Sequence, residues 1–133
     1  MDLAKLNLTE QANLGATMEV VHPITGEPLL DSNGEKVTIT LLGVDSTVMR
    51  QAMSDRAKKQ LAAKSKQSIS LDEAEKMSAE LLAKITLSWS GLTENGQPIE
   101  FSYANAVDLY TKYSWIRQQV DSFTTDRANF YTA

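Results

Sequence analysis

The sequence contains no cysteine, one histidine and three prolines among 133 residues. Without cysteine there are no disulfides, no thiolate nucleophile and no cysteine-ligated zinc, a composition that suits a reducing compartment. The single histidine, His22, stands in Val21-His-Pro23 at the mouth of a turn, where a turn role is favoured over a catalytic base. No G-x-S-x-G elbow surrounds any serine, and Trp89-Ser-Gly91 lacks its first glycine. The six glycines are scattered as punctuation, and no phosphate-cradling loop is formed. No apolar run approaches the ~20 residues of a membrane span. The opening MDLAKLNLTEQ lacks the apolar stretch of a signal peptide. A cytosolic protein is expected, in the cytoplasm of the cell that makes it.

Positive charge is also scarce. Thirteen Lys and Arg against seventeen Asp and Glu give a formal net charge of −4. Duplex nucleic acid is a poor partner for such a chain, since that affinity rests on neutralising phosphates. Residues 56–66 hold five cations, but no aromatic is interleaved to stack bases, so a solvated helix face is expected. Asp31-Ser-Asn-Gly-Glu35 suggests a calcium loop only superficially: its glycine comes too early, and Leu42 stands where the closing Glu belongs. Asp121, Asp126 and Arg127 could form a carboxylate–guanidinium site, but local capping and pairing are favoured. No metal, no cofactor and no enzyme activity are expected.

What is present is periodicity. Met18 and Val20, then Val37, Ile39 and Leu41, alternate with polar residues at the two-residue period of a half-buried strand. Turn residues at 22–28 and 31–34 separate them and leave Leu29-Leu30 as a short middle strand. Residues 1–15 read as an arm. After Gly43, Asp45 or Ser46 caps a helix with Val48, Met49, Ala52, Met53, Ala57 and Leu61 inward and Arg50, Arg56, Lys58, Lys59, Lys64 and Lys66 outward. Residues 64–70 form a connecting loop. Ser70-Leu-Asp-Glu73 is a capping box for a second helix carrying Met77, Leu81, Leu82, Ile85 and Trp89 to a stop at Gly91. Asn95-Gly96 marks a tight turn within 92–101. Ser102 and Ser114 cap two further helices. The expected fold is α+β in a single domain, 1–133: a small N-terminal antiparallel β-meander over 16–42, followed by a helical part over 44–133 of about four helices.

Three stretches carry a family resemblance. They are Leu42-Gly-Val-Asp-Ser46 ahead of a helix with Arg50; Leu87-Ser-Trp-Ser-Gly-Leu92 with a following Gly-Gln-Pro turn and Phe101; and Asn105-Ala106, Leu109-Tyr110, Trp115-Ile-Arg-Gln-Gln-Val120, Phe123 and Asp126-Arg-Ala-Asn-Phe130. In their order and spacing, from about residue 36 onward, the chain resembles the tail assembly chaperones of long-tailed, non-contractile bacteriophages and prophages. The resemblance implies a non-enzymatic factor that coats the tape-measure protein, keeps it soluble and is displaced as tail-tube subunits polymerise. Self-association is expected as well, and neither nucleic acid nor a membrane is an expected partner. A structural tail, neck or tail-completion protein is the alternative.

An assembly factor has to cover a long apolar helix and then release it, and flexible, polarizable methionine suits that work. Met49, Met53 and Met77 are therefore candidates for partner contact, against the reading that they fill core. If the stripes pack together, the contact surface falls to Tyr110, Tyr113, Trp115, Arg117 and Tyr131. Ile116, Val120 and Phe123 are expected as a core seam, with Arg117 and Gln118 at its edge.

Overall fold

The first regular element is helical. In the computed structural model, which describes residues 1–63 and 70–131, Asp2 accepts from the Ala4 amide and opens a 3-10 turn at Leu3–Leu6. Asn7 then caps helix α1, Leu8–Leu14, accepting from Glu10 N at 3.3 Å. Seven residues are too few to hold a helix by propensity. Docking holds this one: Ala12 is buried and accepts from Gly43 N, and the Asn13 amide exchanges two hydrogen bonds with Thr47.

Strand β1, Ala16–Glu19, pairs antiparallel with β2, Thr38–Leu41. Two polar turns lie between. At the first, His22 Nδ1 accepts from the amides of Ile24 and Thr25. At the second, Asp31 Oδ1 accepts from those of Asn33 and Glu35. Leu29-Leu30 contributes only isolated bridges, Val21 to Pro28 and Leu30 to Lys36, so no third strand of a meander forms there. The third strand is β3, Thr86–Ser90, which joins the free side of β2 after two helices have intervened.

The expected order of a β-meander followed by helices is thus overturned. The chain is helical first, and among the described residues five α-helices alternate with short strands in two small sheets. Trp89 lies on β3, not on a helix. The helix before it ends at Lys84, because the β-branched and aromatic run Thr86-Leu-Ser-Trp finds a pairing partner in β2.

Helix α2 spans Thr47–Ala63, with Ser46 Oγ accepting from Met49 N. Residues 64–69, with Lys64, Lys66 and most of the expected loop, lie outside the described residues. Helix α3, Leu71–Lys84, starts at the predicted Ser70 cap. A two-stranded hairpin follows, β4 (Thr93–Glu94) against β5 (Gln97–Pro98). Asn95 and Gly96 sit at its tip with φ of 54° and 80°, as a tight hairpin turn demands. Ser102 caps α4, Tyr103–Lys112. Helix α5, Ser114–Thr125, has Tyr113 at its cap position and no side-chain cap, so Ser114 is its first residue and not the expected cap. A 3-10 turn, Arg127–Asn129, follows under an Asp126 cap.

One face of the three-stranded sheet packs on the helices. Met18, Val20, Ile39 and Leu41 meet Ala79, Leu82 and Ala83 of α3, Ala106, Leu109 and Tyr110 of α4, and Ile116 and Val120 of α5. Ile39 and Leu41 have no exposed surface, and each such burial is worth about 1.5–3 kcal/mol. The alanines let α3 and α4 approach closely. The opposite face of the sheet is polar, with Thr17, Thr40 and Ser88 in one row and Glu19, Thr38 and Ser90 in the next.

Candidate partner-binding surface

The predicted contact residues divide between core and surface. Met49, on the first turn of α2, is buried in the sheet–helix core. Met53, one turn later, is 52% exposed. Helix α2 outruns its neighbours: every residue of 57–61 is exposed, including Leu61 at 78%. Arg50, Lys58 and Lys59 are exposed around these apolar groups and Arg56 is half-buried, so α2 offers a basic rim about a greasy strip. Leu71, at the start of α3, is exposed in the same way. Met77 is half-buried on α3.

Tyr110 is core. Its hydroxyl meets Thr86 Oγ1 at 2.8 Å, and that hydroxyl donates onward to Leu82 O at 2.8 Å. Burial pushes the phenol up to about 12, while the Thr86 contact pulls the other way. Arg117 is held inward as well. Its Nη1 donates to Tyr110 O at 2.9 Å, and Nη2 lies 3.8 Å from Glu75. The expectation that Arg117 lies at an exposed edge is therefore corrected: its guanidinium staples α5 to α4 and α3.

Tyr113 is half-buried and donates to the Glu94 carboxylate, which Lys112 Nζ also approaches at 2.9 Å. The Tyr113 hydrogen bond, then Lys112, holds Glu94 below the usual carboxylate range. The same hydrogen bond raises the Tyr113 phenol. Sequence reading missed this cluster because hairpin and helix bring it together across eighteen to nineteen positions, with no local motif. An acidic cleft of about 370 Å³ lies beside it, lined by Glu94, Glu100, Asp108 and Tyr113.

Trp115 is half-buried and lines a second, shallower cleft of about 410 Å³ with Met18, Val21, Pro23 and Phe123. Gln119 stands at its side. The Gln119 amide accepts from Val21 N at 3.0 Å and donates to Val21 O at 2.8 Å. Tyr131, at the end of the described chain, is 47% exposed.

Asp121 and Asp126 do not form a site with Arg127. Asp126 caps the final turn, and Arg127 reaches Asp45 instead. That guanidinium holds the Asp45 carboxyl below its ordinary value. The predicted residues therefore make no single patch. The structure leaves Met53 and its neighbours exposed on α2, Trp115 on a cleft beside β1, and Tyr131 at the C-terminal end. It withdraws Met49, Tyr110 and Arg117 into the packing. Leu61 was placed inward by the sequence, and Leu71 had no role there, yet both are exposed. For Leu61 the missed signal was the charge density of its own stretch, with Arg56, Lys58 and Lys59 just before it.

Among known families, the model of a YdaY prophage protein matches residues 44–133. The match takes in α2–α5 and β3–β5, while α1, β1 and β2 lie outside it. No curated protein and no solved structure matches the chain.

Proposed function

The chain belongs to the YdaY prophage protein family, and from that premise we propose that it is a non-enzymatic tail assembly chaperone that binds the tape-measure protein. It keeps that partner soluble in the host cytoplasm and helps recruit tail-tube subunits. The observation that supports this reading most is α2 past its first turn: Met53 and Leu61 stand exposed, with Lys58 and Lys59 between them. A partner helix with apolar and acidic residues matches that strip in both chemistry and shape, in the helix-on-helix mode of recognition. Methionine and leucine on an exposed helix face can repack and let go, which release at tube polymerisation requires.

The direct test is co-expression with the tape-measure protein of the same prophage. The reading predicts a larger soluble fraction of that protein with this chain than without it. An equal fraction contradicts it. The alternative, a structural tail or neck protein, rests on the same exposed surface and differs in fate. Mass spectrometry of purified particles separates them: a chaperone is absent, and a structural component is present in fixed stoichiometry.

A further inference from the structure

The edge of β1 is unfinished. Val20 N donates to Val37 O at 2.9 Å, so in this register Val20, Met18 and Ala16 turn their backbone groups toward β2. Thr17 and Glu19 then turn theirs outward, where no group among the described residues takes them. The next outward position, Val21, is closed by Gln119, whose side-chain amide makes the pair of bonds a neighbouring strand would make. The opposite edge of the sheet differs. There β3 bulges at Leu87, which breaks the alternation and blunts that edge. Of the two edges of this sheet, β1 alone offers regular open positions among the described residues, two of them, ended on one side by Gln119.

We propose that β1 pairs antiparallel with β1 of a second copy, about a twofold axis passing Met18. The edge is its own complement. Thr17 and Glu19 are symmetric about Met18, so a copy turned by 180° sets Thr17 against Glu19 and supplies a donor to every acceptor, four backbone hydrogen bonds in all. Glu19 meets a threonine and not another glutamate, and Lys36, at 3.1 Å, already neutralises it. The paired sheets make six strands with a continuous polar outer face. This inference rests on the edge geometry and is independent of the tail-assembly reading.

Sedimentation velocity of the full chain over a range of concentrations tests it. A concentration-dependent dimer is expected, and it is lost in Thr17→Pro, which removes an outward N–H and leaves the β1–β2 ladder intact. A chain that stays monomeric at every concentration overturns the proposal, as does a dimer that survives in a folded Thr17→Pro variant. Because proline can disturb folding, a second arm uses cysteine in this cysteine-free chain. The Thr17→Cys, Glu19→Cys double variant is expected to oxidise to a covalent dimer on a non-reducing gel, since opposed positions lie within disulfide reach. Each single variant stays monomeric there. Equal cross-linking in singles and double, or none in any, contradicts the register.

Discussion

Arg127 closes on Asp45 with two hydrogen bonds, Nε to Oδ2 at 2.6 Å and Nη2 to Oδ1 at 3.0 Å, across 82 positions of sequence. The pair ties the last turn of the chain to the loop that starts α2. Asp45 is held below its ordinary value in the folded protein, first by the Arg127 hydrogen bond. Its contribution is therefore complete above the unfolded carboxyl value of about 4 and is lost as pH falls through the lowered one. Asp45→Asn is expected to lower stability at neutral pH and to match the parent in strong acid, where both lack the charge. Acid titrations followed by far-UV circular dichroism read this. A constant gap between the two proteins at all pH values contradicts it. Arg127→Lys keeps the charge and loses the two-pronged geometry, so it falls between them.

Gly43 is fixed by contact. A Cβ there would lie 2.9 Å from Ala12 Cβ and 3.2 Å from the ring of Phe130. Gly43→Ala is expected to cost about 1–3 kcal/mol, as overpacking does. Adding Ala12→Gly relieves the clash, so in urea melts the double variant should lose less than the sum of the singles. Simple additivity would mean the junction relaxes by another route.

Thr86 and Tyr110 predict an ordering. Tyr110→Phe removes a hydroxyl and leaves Thr86 still donating to Leu82 O, so its cost is about 0.5–1.5 kcal/mol. Thr86→Val strands the buried Tyr110 hydroxyl and costs more, about 1–3 kcal/mol. Chemical denaturation of both variants checks the order, and the reverse order would refute the hydrogen-bond chain as drawn.

Much of this was legible in the sequence, for physical reasons. Strands β1 and β2 showed their two-residue period because one face is buried and the other wet. The Ser70 and Ser102 caps and the Asn95-Gly96 turn are local, and local chemistry reads directly. What failed was tertiary. Leu82, Ile85 and Trp89 fall at helical spacing, yet pairing with β2 drew 86–90 into a strand. Helix α1 depends on docking to Gly43 and Thr47, which no local window contains. Met49 and Met53 share a stripe, but a stripe does not reveal which of its residues the rest of the fold covers, and here it covers Met49 and leaves Met53 exposed. Arg117 looked like a surface group until the partners that hold it were in place.

That division gives a control for the functional claim. Met49→Asp is expected to unfold the chain, since it buries an unpaired charge. Met53→Asp and Leu61→Asp sit on exposed surface and should change stability by no more than about 0.5 kcal/mol each.

The most direct measurement is the soluble yield of the tape-measure protein co-expressed with the parent chain and with the Met53→Asp, Leu61→Asp double variant. The account predicts high yield with the parent and a loss of most of it with the double variant, whose own melting temperature is unchanged. A yield that is the same with either chain, or with neither, contradicts it.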